Sequence, residues 1–177
     1  LIAWKNREDR KPLILLGARQ VGKTYILKEF GQREFENVAY INCDNNAMVK
    51  DLFATDYNIE RILLTIGAIT GVNIQAGKTL IIMDEIQESH RGLASLKYFC
   101  EEAREYHVAV AGSLLGLTLH QGESYPVGKV NTLEMFPMTY EEFLLARGFK
   151  QRVDLLQSGM WDVVNSLRTL YIQHLRE

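Results

Sequence analysis

Two glycines and a lysine constrain this chain more than any other feature in it. The stretch "LILLGARQVGKTYILKEF" (13–30) opens as an apolar run, turns at Gly17, and reaches Gly22, Lys23 and Thr24 just before a helical pattern begins. A short apolar run between Pro12 and Gly17 reads as a strand buried on both faces of a parallel sheet. Glycine at each end of the connection permits backbone angles that a side chain would forbid. The eight residues "GARQVGKT" (17–24) fit the pattern G-x-x-x-x-G-K-[ST] in full. In such a loop successive backbone N–H groups turn inward, and the next helix adds its positive N-terminal end. That is a cradle for phosphate. The predicted nucleotide-binding residues are Gly17, Ala18, Arg19, Gln20, Val21, Gly22, Lys23 and Thr24. Lys23 carries charge to the β- and γ-phosphates, and the Thr24 hydroxyl can bind Mg²⁺. Arg19 and Gln20 contribute through their backbone more than through their side chains.

The rest of the chain alternates in the same way. Strands are predicted at 11–17, 37–44, 78–85, 106–112 and 129–136. Helices are predicted at 23–31, ending at Gly31, and at 46–55, 58–70 and 92–105. Thr139 followed by Glu142 forms a capping box, with Met138 and Phe143 spaced as a hydrophobic staple, so a helix should start at 140. A last amphipathic helix is expected over 161–175. Strands alternating with helices predict an α/β, three-layer sandwich with a mostly parallel central sheet of about five strands. The expected organisation is one nucleotide-binding domain over 1–150, followed by the start of a helical linker or lid region over 151–177.

In such sheets ligands gather at the carboxyl ends of the strands. The third strand ends "LIIMDE" (80–85), an apolar run closing on two carboxylates, the Walker B arrangement to the loop's Walker A. Asp84 is the predicted partner of Thr24 in holding Mg²⁺, and Glu85 the base that activates water. Sequence room for a strand inserted between loop and acids fits the additional-strand, catalytic-glutamate division of P-loop NTPases. The fourth strand ends "AGSLLG" (111–116), which puts Ser113 where a polar residue can sense the γ-phosphate.

Other chemistry is poorly supported. The net charge is −2, so the composition does not indicate nucleic acid, although residues 1–33 hold eight Lys/Arg against three Asp/Glu. Cys43 and Cys100 have no ligand-spaced partner and make no disulfide framework, which suits a reducing, cytoplasmic setting. His90, His107, His120 and His174 pair with no acid or cysteine at ligand spacing; Trp4 and Trp161 read as packing residues. "GSLLG" is not a nucleophile elbow. The uncharged runs 62–77 and 106–122 are short for a membrane span and carry polar residues. The first residue is Leu1 and the last helix is uncapped, which reads as a fragment of a longer protein.

Taken together, "GARQVGKT", "LIIMDEIQ", "AGSLLG" and "KVNTLEMFPMTYEEFL" resemble the N-terminal ATPase domain of a prokaryotic predicted-ATPase family in the AAA+ superfamily. The resemblance implies ATP and Mg²⁺ as cofactors and hydrolysis of ATP to ADP and phosphate. It also implies a C-terminal domain of nuclease-like fold following in cis, as the element that the ATPase would drive. A homo-oligomer, in which a neighbouring subunit completes the site, is a further partner compatible with it. One position departs from the family pattern: Gly128–Lys129 stands where a Gly-Arg pair is usual. If that residue is a finger on the γ-phosphate, Lys129 keeps the charge and loses the planar fork. Two other function classes stay open. One is a nucleotide-binding interaction module with negligible hydrolysis on its own. The other is a phosphotransferase, which the lack of any Lys or Arg over 113–128 disfavours.

Overall fold

A computed structural model describes residues 1–44, 47–113 and 125–174. Its described residues fall into two compact units, Leu1–Phe136 and Pro137–Glu177. The first is built on β1 (Leu13–Gly17), β2 (Asn37–Asn42), β3 (Thr79–Asp84), β4 (His107–Ser113) and β5 (Asn131–Met135). All neighbouring pairs are parallel, in the order β2-β3-β4-β1-β5. Among the described residues, helices α1 (Ile2–Lys5), α2 (Lys23–Glu34), α3 (Ala47–Leu52), α4 (Ile59–Thr70) and α5 (His90–Glu102) accompany the sheet, with a short 3-10 turn at Ile86–Glu88.

The continuous apolar strands follow from helices on both faces. Ile14, Ile81, Met83, Val108 and Val110 point to one face, into a core shared with Ile62 and Ile66 of α4 and Leu96 and Phe99 of α5. Their chain neighbours Leu13, Leu15, Leu80, Ile82, Ala109 and Ala111 point to the other, against Trp4, Leu27 and Phe30. Every residue of β3 is buried. Burying a side chain such as Ile81 or Leu80 completely stabilises by about 1.5–3 kcal/mol, so β3 anchors the sheet.

The additional strand expected between the loop's strand and the acidic strand is present: β4 lies between β1 and β3, while 37–44 supplies β2 on the far side of β3. One expectation needs correction. Helix α2 does not stop at Gly31 but runs on to Glu34. Gly31 is buried, and a Cβ there would lie 2.7 Å from Val38 Cγ2 and 3.2 Å from Leu80 Cδ2. The missing side chain lets α2 lie close on the sheet; it does not end the helix.

The second unit holds α6 (Tyr140–Ala146), α7 (Lys150–Gln157), α8 (Trp161–Ser166) and α9 (Arg168–His174). The capping box at Thr139 and Glu142 is formed, while Met138 is left 64% exposed. Helix α7 falls at the start of the region expected to be helical, with no separate helix predicted there. The single helix expected over 161–175 is broken: Leu167 caps α8, and the Ser166 hydroxyl donates back to the Val163 carbonyl. Leu144, Val153 and Tyr171 form its small core; Trp161, expected to pack, is 61% exposed.

Candidate functional site

The loop at 17–24 leaves the carboxyl end of β1, where β1 is flanked by β4 and β5. Gly17 pairs with Ser113 on one side and Met135 on the other. A Cβ on Gly17 would collide with the Met135 carbonyl, so this close approach accepts only glycine. Gly22, at φ 97° and ψ 16°, is the N-cap of α2 and lies in the left-handed region that favours glycine. No side chain caps this end, so the first-turn N–H groups face the loop as potential anion donors. Ala18, Arg19 and Gln20 are exposed. Lys23 is only 8% exposed; its Nζ donates to the carbonyls of Gly17 (3.0 Å) and Ala18 (2.7 Å), curled over the loop it would serve.

The sheet brings distant residues to this point. The Thr24 hydroxyl donates to Asp84 Oδ2 at 2.7 Å, across 60 positions of sequence. Asp84, 5% exposed, also accepts from the Tyr40 hydroxyl at 3.1 Å and, through Oδ1, from the Glu85 backbone N–H at 3.1 Å. Thr24 and Asp84 thus present hard oxygen donors side by side, the kind that could hold a small divalent cation. Among the described residues no cluster of three His, Cys, Asp or Glu could hold a metal, so an ion here would need further oxygens from phosphate or water.

Tyr40 was not anticipated. Its only trace in the sequence is a position in β2 two residues before Asn42, which pairs with Asp84. Burial, and then the neighbouring Asp84 carboxylate, push its hydroxyl up to about 12. Lys28 Nζ sits 3.5 Å from the centre of its ring. Burial, with Asp84 and Glu85 nearby, also raises the Cys43 thiol to about 12, so this cysteine stays an unreactive thiol.

Glu85 follows β3 with φ 51° and ψ 43°, a left-handed conformation that costs a non-glycine residue of order 1–3 kcal/mol. Its carboxylate accepts from the Gln87 side-chain amide. Gln87 is buried, and its Oε1 has no donor among the described residues. This amide is a second group that the sequence reading did not single out. Ser113 ends β4 with its Cα beside that of Gly17; the "LLG" after it lies outside the described residues. Lys129 is not brought to the group. It stands just before β5, at the opposite end of the sheet from Gly17, and its Nζ pairs with Glu101 at 2.8 Å. The whole of β5 lies between it and Met135, roughly 13 Å of extended strand from Asn131 onward.

A five-stranded parallel sheet with helices on both sides, and a glycine-rich loop leading from its first strand into a helix, define a P-loop NTPase fold. Residues 9–144 match the family model described as an AAA domain, and the chain belongs to that family. Membership points to nucleotide binding and ATPase-like activity. No curated protein matches the chain.

Proposed function

We propose that this chain binds ATP with Mg²⁺ and hydrolyses it to ADP and phosphate, serving as a motor or switch for a domain in cis or for a partner. The observation that carries the reading is the 2.7 Å contact of Thr24 Oγ1 with Asp84 Oδ2 at the mouth of the glycine-rich loop. Backbone N–H groups from Gly17 to Thr24 would surround the phosphates. Lys23 would exchange its two carbonyl partners for phosphate oxygens. Mg²⁺, held by Thr24 and Asp84, would neutralise phosphate charge. Tyr40 would keep Asp84 oriented, and Glu85 would take the proton of the attacking water. Ser113 would contact the γ-phosphate. Lys129 would act on the site of a neighbouring subunit. Catalysis on this reading is positioning plus charge stabilisation.

One observation favours a second reading, a nucleotide-binding module with negligible turnover of its own. Glu85 is engaged by Gln87, and that contact must yield before the carboxylate can serve as a base.

The test is ATP binding by calorimetry, together with phosphate release over a wide range of protein concentration. Lys23→Ala should lose nucleotide binding, and normal affinity in that variant would sink the assignment. Glu85→Gln should bind ATP and release no phosphate; undiminished turnover would remove Glu85 from its role. Tight binding without release by the unaltered chain would select the second reading.

A further inference from the structure

Helix α4 is apolar nearly all round. Over Ile59–Thr70 its only charged residues are Glu60 and Arg61. Ile59, Ile62 and Ile66 are buried beneath it. Its outer side carries Leu64, 71% exposed, with Gly67 and Ala68 beyond. Past Glu60, one turn before Leu64, that side carries no charge, so it offers apolar surface that a partner could cover.

Beside that outer face runs a half-open groove of about 640 Å³. Its apolar wall is made by Leu63, Leu64, Ile74, Ala103 and Tyr106. Glu60, Glu102 and Glu105 also line it, with no Lys or Arg. All three are exposed, and none enters an ion pair among the described residues. The groove follows α4 from Asn58 to Gly67, roughly 13 Å at 1.5 Å per residue. That length matches two turns of a docked helix, whose anchors recur at i, i+3 or i+4, and i+7. No residue of the loop 17–24, nor Asp84 or Glu85, lines it.

The geometry points to this groove as the docking site for a cationic amphipathic helix of a partner protein. The partner's apolar stripe would lie on Leu63, Leu64 and Tyr106, and its Lys or Arg side chains would meet Glu60, Glu102 and Glu105. Carboxylates with no cation of their own fix the sign of that partner, and the uncovered leucine fixes its apolar character.

The probe is a fluorescent synthetic helix about 15 residues long, with leucine on one face and lysine on the other. Anisotropy should show saturable one-to-one binding. Leu64→Lys, and separately the pair Glu60→Lys with Glu105→Lys, should each weaken it roughly tenfold or more, while Glu8→Lys, outside the groove, leaves it unchanged. All these positions are exposed, so melting temperatures should hold for Leu64→Lys and Glu8→Lys and fall only slightly for the pair, because Glu60 lies in the first turn of α4, where a cation is unfavourable. Equal binding of a scrambled peptide of the same composition would overturn the proposal. So would equal weakening by Glu8→Lys. Sedimentation showing a dimer that Leu64→Lys dissolves would assign the face to a second copy of the chain and overturn it as well.

Discussion

Gly31→Ala sets two effects of known size against each other. Gly31 lies inside α2, three residues from its end. On helix propensity alone, alanine should stabilise the chain by about 1 kcal/mol. The added Cβ, however, would lie 2.7 Å from Val38 Cγ2 and 3.2 Å from Leu80 Cδ2. The first distance is shorter than a Cβ tolerates, so something must move. Val38 is branched at Cβ and held on β2, so its rotamer has little freedom. Leu80 is fully buried on β3. Forcing an extra carbon into such a place costs about 1–3 kcal/mol. The clash therefore wins, and the net loss is of order 1 kcal/mol, or about 3 °C in melting temperature for a chain of this size. Urea and thermal unfolding followed by circular dichroism would measure it. Val38→Ala should relieve the clash, so Gly31→Ala becomes favourable in that background, with a coupling of about 1 kcal/mol or more. A Gly31→Ala chain more stable than the parent, with no coupling to Val38, would refute the close-packing account of α2.

Acid should also act through one buried ring. Burial, and then the positive Arg10, hold His107 down to about 4, below the ordinary value near 6.5. The unfolded chain then binds the proton first, so this contribution is complete above about pH 6.5 and is lost as pH falls toward 4. At 1.36 kcal/mol per unit it amounts to at most about 3 kcal/mol; melting curves from pH 7.5 to 4.5 should fall less steeply for His107→Phe, and parallel slopes would remove the ring from the account. Trp4→Ala should cost about 3–5 kcal/mol, since Trp4 packs on Phe30 and His107 and donates from Nε1 to the Lys11 carbonyl at 2.8 Å; a loss under about 1 kcal/mol in urea unfolding would contradict that packing. Thr139→Ala should cost about 1 kcal/mol, read as faster amide exchange over 140–146, because its hydroxyl caps the Glu142 N–H at 3.2 Å; unchanged exchange would count against the cap.

Much of this molecule is written in local spacing. The interval from Gly17 to Thr24, the apolar runs of β1, β3 and β4, and the Thr139–Glu142 box depend on residues within one turn or one strand of each other. Backbone sterics and burial act at that range, so the sequence by itself determined the loop, the strands and the parallel α/β class. Tertiary structure decided what touches across the sheet. It set β4 between β1 and β3, brought Tyr40 and Thr24 to one oxygen of Asp84, and put Gln87 against Glu85. It also gave Gly31 a packing role that reads in sequence as a helix stop, and stationed Lys129 at the far end of β5 from the loop. The reason is physical. Strand order in a parallel sheet is settled by which crossovers bury the most apolar surface together, a sum over residues far apart in the chain, and such a sum leaves no periodic mark on any one segment.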